Sequence, residues 1–204
     1  MDIAVVGSNN VDLITYIDRM PKEGETIEAP EFEMGGGGKG ANQAVAASRL
    51  GATVRMVTRV GNDIFAANTV KNFDDNGIDT EWVLETTGSS GVAPIFVDRE
   101  SNNSIIIVKG ANGLLSPQDV ADAGDAIAEC KLLVLQLEIP LETVYAAIDL
   151  AVERGVPVLL NPAPADTRLD PKYVAKCTYF IPNETELSLL AGKDLETIEE
   201  ITEA

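Results

Sequence analysis

Apolar and polar positions along this chain follow two rhythms. Apolar runs occupy residues 2–7 and 131–137, and further strands are expected at 53–60, 156–160 and 176–181. Runs of that kind predict strands covered on both faces, as in a parallel sheet. Between them the pattern predicts helices at 39–50, 63–76 and 141–154, with Gly51, Gly77 and Gly155 placed to stop them. Ser116-Pro117-Gln118-Asp119 opens a further helix to about residue 130, with an N-cap serine and proline at the first helical position. Shorter helices are expected at 184–190 and 195–204, and a strand at 80–85. The second rhythm is strict alternation, at 13–18 and 25–34 and again at 92–97 and 104–109. Alternation predicts strands with one face covered. The fold class is therefore α/β: one domain over 1–204, a doubly wound, mostly parallel sheet flanked by helices. The segments 13–34 and 92–109 form a small separate β layer, a lid or a dimer surface.

Gly35-Gly36-Gly37-Gly38 runs straight into the helix that starts at Lys39. Four glycines free the backbone for positive φ and for close approach to a ligand. A glycine turn feeding a helix N-terminus suits an oxygen-rich or anionic ligand. Lys39 and Asn42, three apart, share one helix face; as solvated helix residues they would carry no such role. Two generic motifs fit poorly. The dinucleotide fingerprint needs a buried apolar strand before it, and Glu31-Phe32-Glu33-Met34 alternates instead; a P-loop needs glycine at 33 and Ser or Thr at 40.

Composition narrows the chemistry. A net charge of −18 over 204 residues argues against nucleic-acid or anionic-membrane surfaces. No apolar run is long enough to span a bilayer and no signal peptide is recognisable, which points to the cytoplasm. Cys130 and Cys177 have neither metal-site nor redox spacing. There is no histidine, which removes Ser-His and Cys-His pairs and histidine-based metal sites.

Polar residues fall at the carboxyl ends of the expected strands, where open α/β sheets bind ligands. Asn10 and Asp12 follow the first strand, Glu138 ends the run at 131–137, Asn161 the strand at 156–160, and Asn183 and Glu186 follow the strand at 176–181. Asp12 and Asn161 also fit turns. Asn183 and Glu186 also fit a capping box, with Glu186 at N3.

These residues carry a resemblance. Gly37-Gly38-Lys39-Gly40-Ala41-Asn42-Gln43-Ala44, with Gly51 and Gly61 at their spacings, resembles the first signature of the ribokinase, or PfkB, family of sugar kinases. Gly7-Ser8-x-Asn10-x-Asp12, Gln136-Leu137-Glu138, Asn161-Pro162-Ala163-Pro164 and Pro182-Asn183-Glu184-Thr185-Glu186 match in order. The wording around Val11–Tyr16 and Met20–Thr26 is similar to deoxyribokinases, which carry methionine where this chain has Asn10.

The resemblance implies an ATP-dependent pentose kinase acting on the 5-hydroxyl of D-ribose or 2-deoxy-D-ribose. Asn10, Asp12, Gly38, Lys39, Asn42 and Glu138 would hold the sugar. Asn183 and Glu186 would help place ATP with Mg²⁺, Glu186 acting indirectly on the metal. The β lid would also clasp a homodimer. The family's second signature, with its catalytic aspartate, anion hole and K⁺ loop, would lie beyond Ala204, so no catalytic residue is assigned and turnover by these 204 residues is not expected. A non-catalytic sugar-binding or dimerising protein, or another sugar or nucleoside kinase of the family, is the alternative.

Overall fold

The computed structural model describes residues 1–195 and 197–203. In chain order the elements are β1 (Ile3–Val6), β2 (Asn10–Tyr16), β3 (Glu31–Gly37), α1 (Lys39–Arg49), β4 (Val54–Val60), α2 (Ala66–Asp75), β5 (Asp79–Glu85), β6 (Val92–Val97), β7 (Asn103–Ile105), α3 (Pro117–Asp122), α4 (Gly124–Ala128), β8 (Leu132–Leu135), α5 (Leu141–Arg154), β9 (Val158–Leu160), α6 (Pro171–Val174), β10 (Tyr179–Phe180), α7 (Glu184–Ala191) and α8 (Ile198–Glu203). A 3₁₀ turn covers Gly110–Leu114.

The larger sheet has the order β10-β9-β8-β1-β4-β5, and every pairing in it is parallel. β1, β8 and β9 read as continuous apolar runs because both faces are buried, whereas β4 includes Arg55, Thr58 and Arg59. Ala4, Val6, Leu133 and Leu135 face the side packed by α3, α4 and α5, in a core with Ile127, Val144 and Ile148. Val5, Val54, Met56 and Val134 face the other side, with Ala41 and Ala44 of α1 and Phe73 of α2. Neighbours in sequence thus serve opposite cores, the period of two that a strand imposes.

The alternating segments form a second sheet of order β3-β2-β6-β7. β2 runs antiparallel to β3 and parallel to β6, and β6 antiparallel to β7. The face that carries Phe32, Met34, Ile106 and Val108 is left apolar, each about half accessible, while Ile105 and Ile107 lie on the opposite face with Asp12 and Ile14.

Several boundaries differ from the pattern. The predicted strand at 25–34 starts only at Glu31 and runs on to Gly37, so three of the four glycines are strand residues paired with β2. Only Gly38 takes positive φ, at 90°. The predicted helix at 116–130 is two short helices, turning at Ala123. The strand expected at 176–181 is two residues long, and α6, four residues long, was not foreseen. Within the helix expected at 195–204, residues 196 and 204 lie outside the described residues.

Candidate functional site

Strand order reverses at β1: the chain goes on to β4 and β5 on one side and to β8, β9 and β10 on the other. The crevice at the carboxyl ends of β1 and β8 is therefore the topological switch point, where open α/β sheets take ligands. Ser8, just past β1, donates from Oγ to Glu138 Oε2 at 2.5 Å, just past β8. The same Glu138 oxygen accepts the backbone N–H of Lys39 at 2.9 Å. Gly40 N–H reaches Ser8 Oγ at 3.3 Å, and Ala41 N–H reaches the Ser8 carbonyl at 2.8 Å.

This corrects one expectation. The first N–H groups of α1 are not held open for an anion. They bind Ser8 and a carboxylate of the protein itself, which already offsets the positive helix end. The ligand-facing groups lie beside the helix start.

Asp12 is the chief of these. It sits on β2 two residues beyond Asn10, on the same face. A Cβ on Gly37 would overlap the Asp12 carboxylate, which explains glycine at that position. At Gly38, positive φ and a Cβ contact of 2.8 Å with Asn10 N both demand glycine. Burial, with the Glu138 charge second, raises the Asp12 pKa above its usual value. Among the described residues no donor is bonded to this half-buried carboxylate.

Asn10 is buried, and its Oδ1 accepts from Asn112 Nδ2 at 2.8 Å. Asn112 was missed by the sequence reading. It lies in the 3₁₀ turn, accepts Asn9 N–H at 2.9 Å and donates to Asn9 O at 2.7 Å. The available signal was an asparagine flanked by Gly110 and Gly113 directly after the second alternating pair. Asn9 is pinned from its other side by Thr58 Oγ1 at 2.7 Å and Arg59 O at 2.8 Å.

Asn10, Asp12, Gly38, Lys39 and Glu138 thus gather at one mouth. Lys39 is half-buried at the first position of α1, and Asn42 is exposed one turn further on. Asn183 and Glu186 do not join them. They follow β10, two strands beyond β8, a lateral offset of about 10 Å at ordinary strand spacing. There they form a reciprocal capping box, Asn183 N–H to Glu186 Oε2 at 2.9 Å and Glu186 N–H to Asn183 Oδ1 at 2.7 Å. Asn161 donates to Ile181 O at 3.3 Å, tying the end of β9 to the end of β10. Among the described residues no cluster of three or more Asp, Glu, Cys or His side chains is arranged to hold a metal ion.

The family model described as pfkB family carbohydrate kinase matches residues 1–204. The chain is 57% identical to a deoxyribokinase of Salmonella typhi, over 100% of this chain and 67% of that protein. It is 42% identical to the mouse (Mus musculus) ribokinase, over 93% of this chain and 59% of that protein. The solved structure of Arabidopsis thaliana ribokinase complexed with ribose and ATP superposes with a TM-score of 0.90 at 33% identity, covering 99% of this chain and 66% of that one. The chain thus spans about two thirds or less of the length of these relatives.

Proposed function

The chain belongs to the pfkB family of carbohydrate kinases, and on that premise we propose that it is the sugar-binding part of an ATP-dependent pentose kinase. The substrate is D-ribose or 2-deoxy-D-ribose and the acceptor is its 5-hydroxyl. The observation that carries this reading is Asp12, a half-buried carboxylate at the switch point with no donor among the described residues. A carboxylate kept in that state is destabilised until neighbouring hydroxyls donate to it. Vicinal sugar hydroxyls do so in pairs, and each charge-assisted bond contributes about 1.5–3 kcal/mol.

Asn10, Gly38, Lys39, Asn42 and Glu138 complete the sugar site in this proposal. Asn10 and Lys39 supply donors to ring and hydroxyl oxygens. Glu138 keeps α1 and the Ser8 turn in register, which sets the distance between Asp12 and Lys39.

ATP belongs at the ends of β9 and β10. The Glu186 carboxylate has one oxygen engaged in the capping box, which leaves the other for water bound to a cation. A lone carboxylate fits Mg²⁺, which keeps most of its waters and takes phosphate oxygens for the rest. Mg²⁺ supplies charge neutralisation at the transferring phosphoryl group. The proton acceptor for the 5-hydroxyl, the anion hole and a K⁺ site are assigned to the part of the relatives' length that this chain does not span. The second sheet is the lid over the sugar, and its apolar outer face pairs with a second copy. The net charge of −18 supports a cytoplasmic protein without nucleic-acid or anionic-membrane partners.

Titration calorimetry of the purified chain with D-ribose, 2-deoxy-D-ribose, a hexose and a nucleoside tests the reading. Saturable binding of the pentoses, absent in Asp12→Ala, is expected. Binding that survives Asp12→Ala, or a preference for the nucleoside, overturns it.

A further inference from the structure

Asn10 is buried between two kinds of neighbour. Its Oδ1 is taken by Asn112 Nδ2 at 2.8 Å. Its Nδ2 has no acceptor among the described residues and is not sealed from solvent. Asn112 cannot turn to release Asn10, because both ends of its own amide hold the backbone of Asn9: Oδ1 takes the N–H and Nδ2 gives to the carbonyl. A Cβ on Gly91 would collide with both asparagine side chains, so the strand entering the second sheet closes over the pair.

We propose that Asn112 is a positioning residue that sets the sugar preference of the site by locking the Asn10 amide with its N–H₂ toward the ligand. The inference rests on the pentose reading above. A locked donor rewards a sugar that offers an oxygen at that point. It penalises a deoxy sugar, because the unmet N–H cannot swing away to another acceptor. A free amide would turn and escape most of that penalty. Asn112 never touches the sugar; it acts through Asn10.

The test is calorimetric affinity for D-ribose and 2-deoxy-D-ribose, read as the ratio of the two. The unmodified chain is expected to favour ribose by roughly five- to hundredfold. In Asn112→Ala and in Asn112→Asp, which cannot donate to Asn10, the ratio falls severalfold toward one. A merely structural role for Asn112 would weaken both sugars alike and leave the ratio where it was. In an Asn10→Leu background, adding Asn112→Ala changes the ratio no further. An unaltered ratio in the Asn112 variants, a further fall in the double variant, or an unmodified chain that binds both sugars equally overturns the proposal. An unmodified chain that binds neither sugar overturns the pentose reading and this inference with it. If the Asn112 variants fail to fold, side-chain amide resonances of the unmodified ¹⁵N-labelled chain decide. The Asn10 signals, identified by their loss in Asn10→Leu, should move with D-ribose and hold still with 2-deoxy-D-ribose. Equal movement with both sugars overturns the inference.

Discussion

Glu138 accepts the backbone N–H of Lys39 at 2.9 Å, joining the end of β8 to the start of α1 across 99 residues of sequence. The bond places a carboxylate on the positive end of a helix whose glycine-rich approach would otherwise suggest a phosphate site. With that end already neutralised, an uncharged polyol suits the neighbouring space better than an anion.

Replacing Glu138 by alanine leaves the Ser8 hydroxyl and the Lys39 N–H without their acceptor. Stability should fall by about 1.5–3 kcal/mol, the range for a charge-assisted hydrogen bond. Glu138→Gln keeps an acceptor oxygen and should lose less. Denaturant unfolding of the three proteins gives the order, and equal midpoints would show that the bond contributes nothing.

Asp12 links binding to pH. Its carboxyl has a pKa above the ordinary 3.8, from burial and then from the Glu138 charge. The folded state therefore holds this proton more tightly than the unfolded chain does. The stability linked to it is complete below the unfolded value and is lost as pH rises through the folded one. Asp12→Asn should accordingly stabilise the sugar-free protein at neutral pH, with the gain vanishing in acid below 3.8. Pentose affinity should drop by tenfold or more, about one lost charged bond. Thermal unfolding against pH, with and without ribose, reads both effects.

The glycines should not respond alike. Gly37→Ala drives a methyl group into the Asp12 carboxylate and should abolish pentose binding. Gly35→Ala meets nothing within 4 Å on the edge strand β3 and should change stability by less than about 0.5 kcal/mol. Calorimetry and unfolding of the two variants, side by side, would show whether the run acts through one position or through general flexibility.

Glu186→Gln separates the capping role from the nucleotide role. Glutamine at N3 keeps the capping box, so the unfolding midpoint should stay within error of the parent. If Glu186 also works on the metal–nucleotide side, the Mg²⁺ dependence of ATP binding should weaken in a protein of the relatives' full length. Unchanged Mg²⁺ dependence would leave Glu186 as a helix cap alone.

The order of apolar runs and helices, and so the α/β class, was legible in the sequence. A strand buried on both faces must be largely apolar, and the runs at β1 and β8 are; β4 admits Arg55, Thr58 and Arg59, each bonded to a neighbour. Leu141–Arg154 was bounded to the residue because Gly155 stops it at φ 71°. The polar residues at the strand ends were legible too, since few reasons exist for Glu138 to follow an apolar run. What the sequence alone could not decide was which donors meet which acceptors. Alternation at 25–34 could not reveal that the glycines continue β3, because a glycine has no side chain to mark a face. Nor could it reveal that the α1 terminus is filled by Ser8 and Glu138, or that Asn112 holds Asn10. Glu138 and Lys39 lie 99 residues apart, Asn112 and Asn10 102, and even Ser8 reaches Gly40 across 32. They meet only because the parallel order β8-β1-β4 carries the ends of distant strands to one crevice.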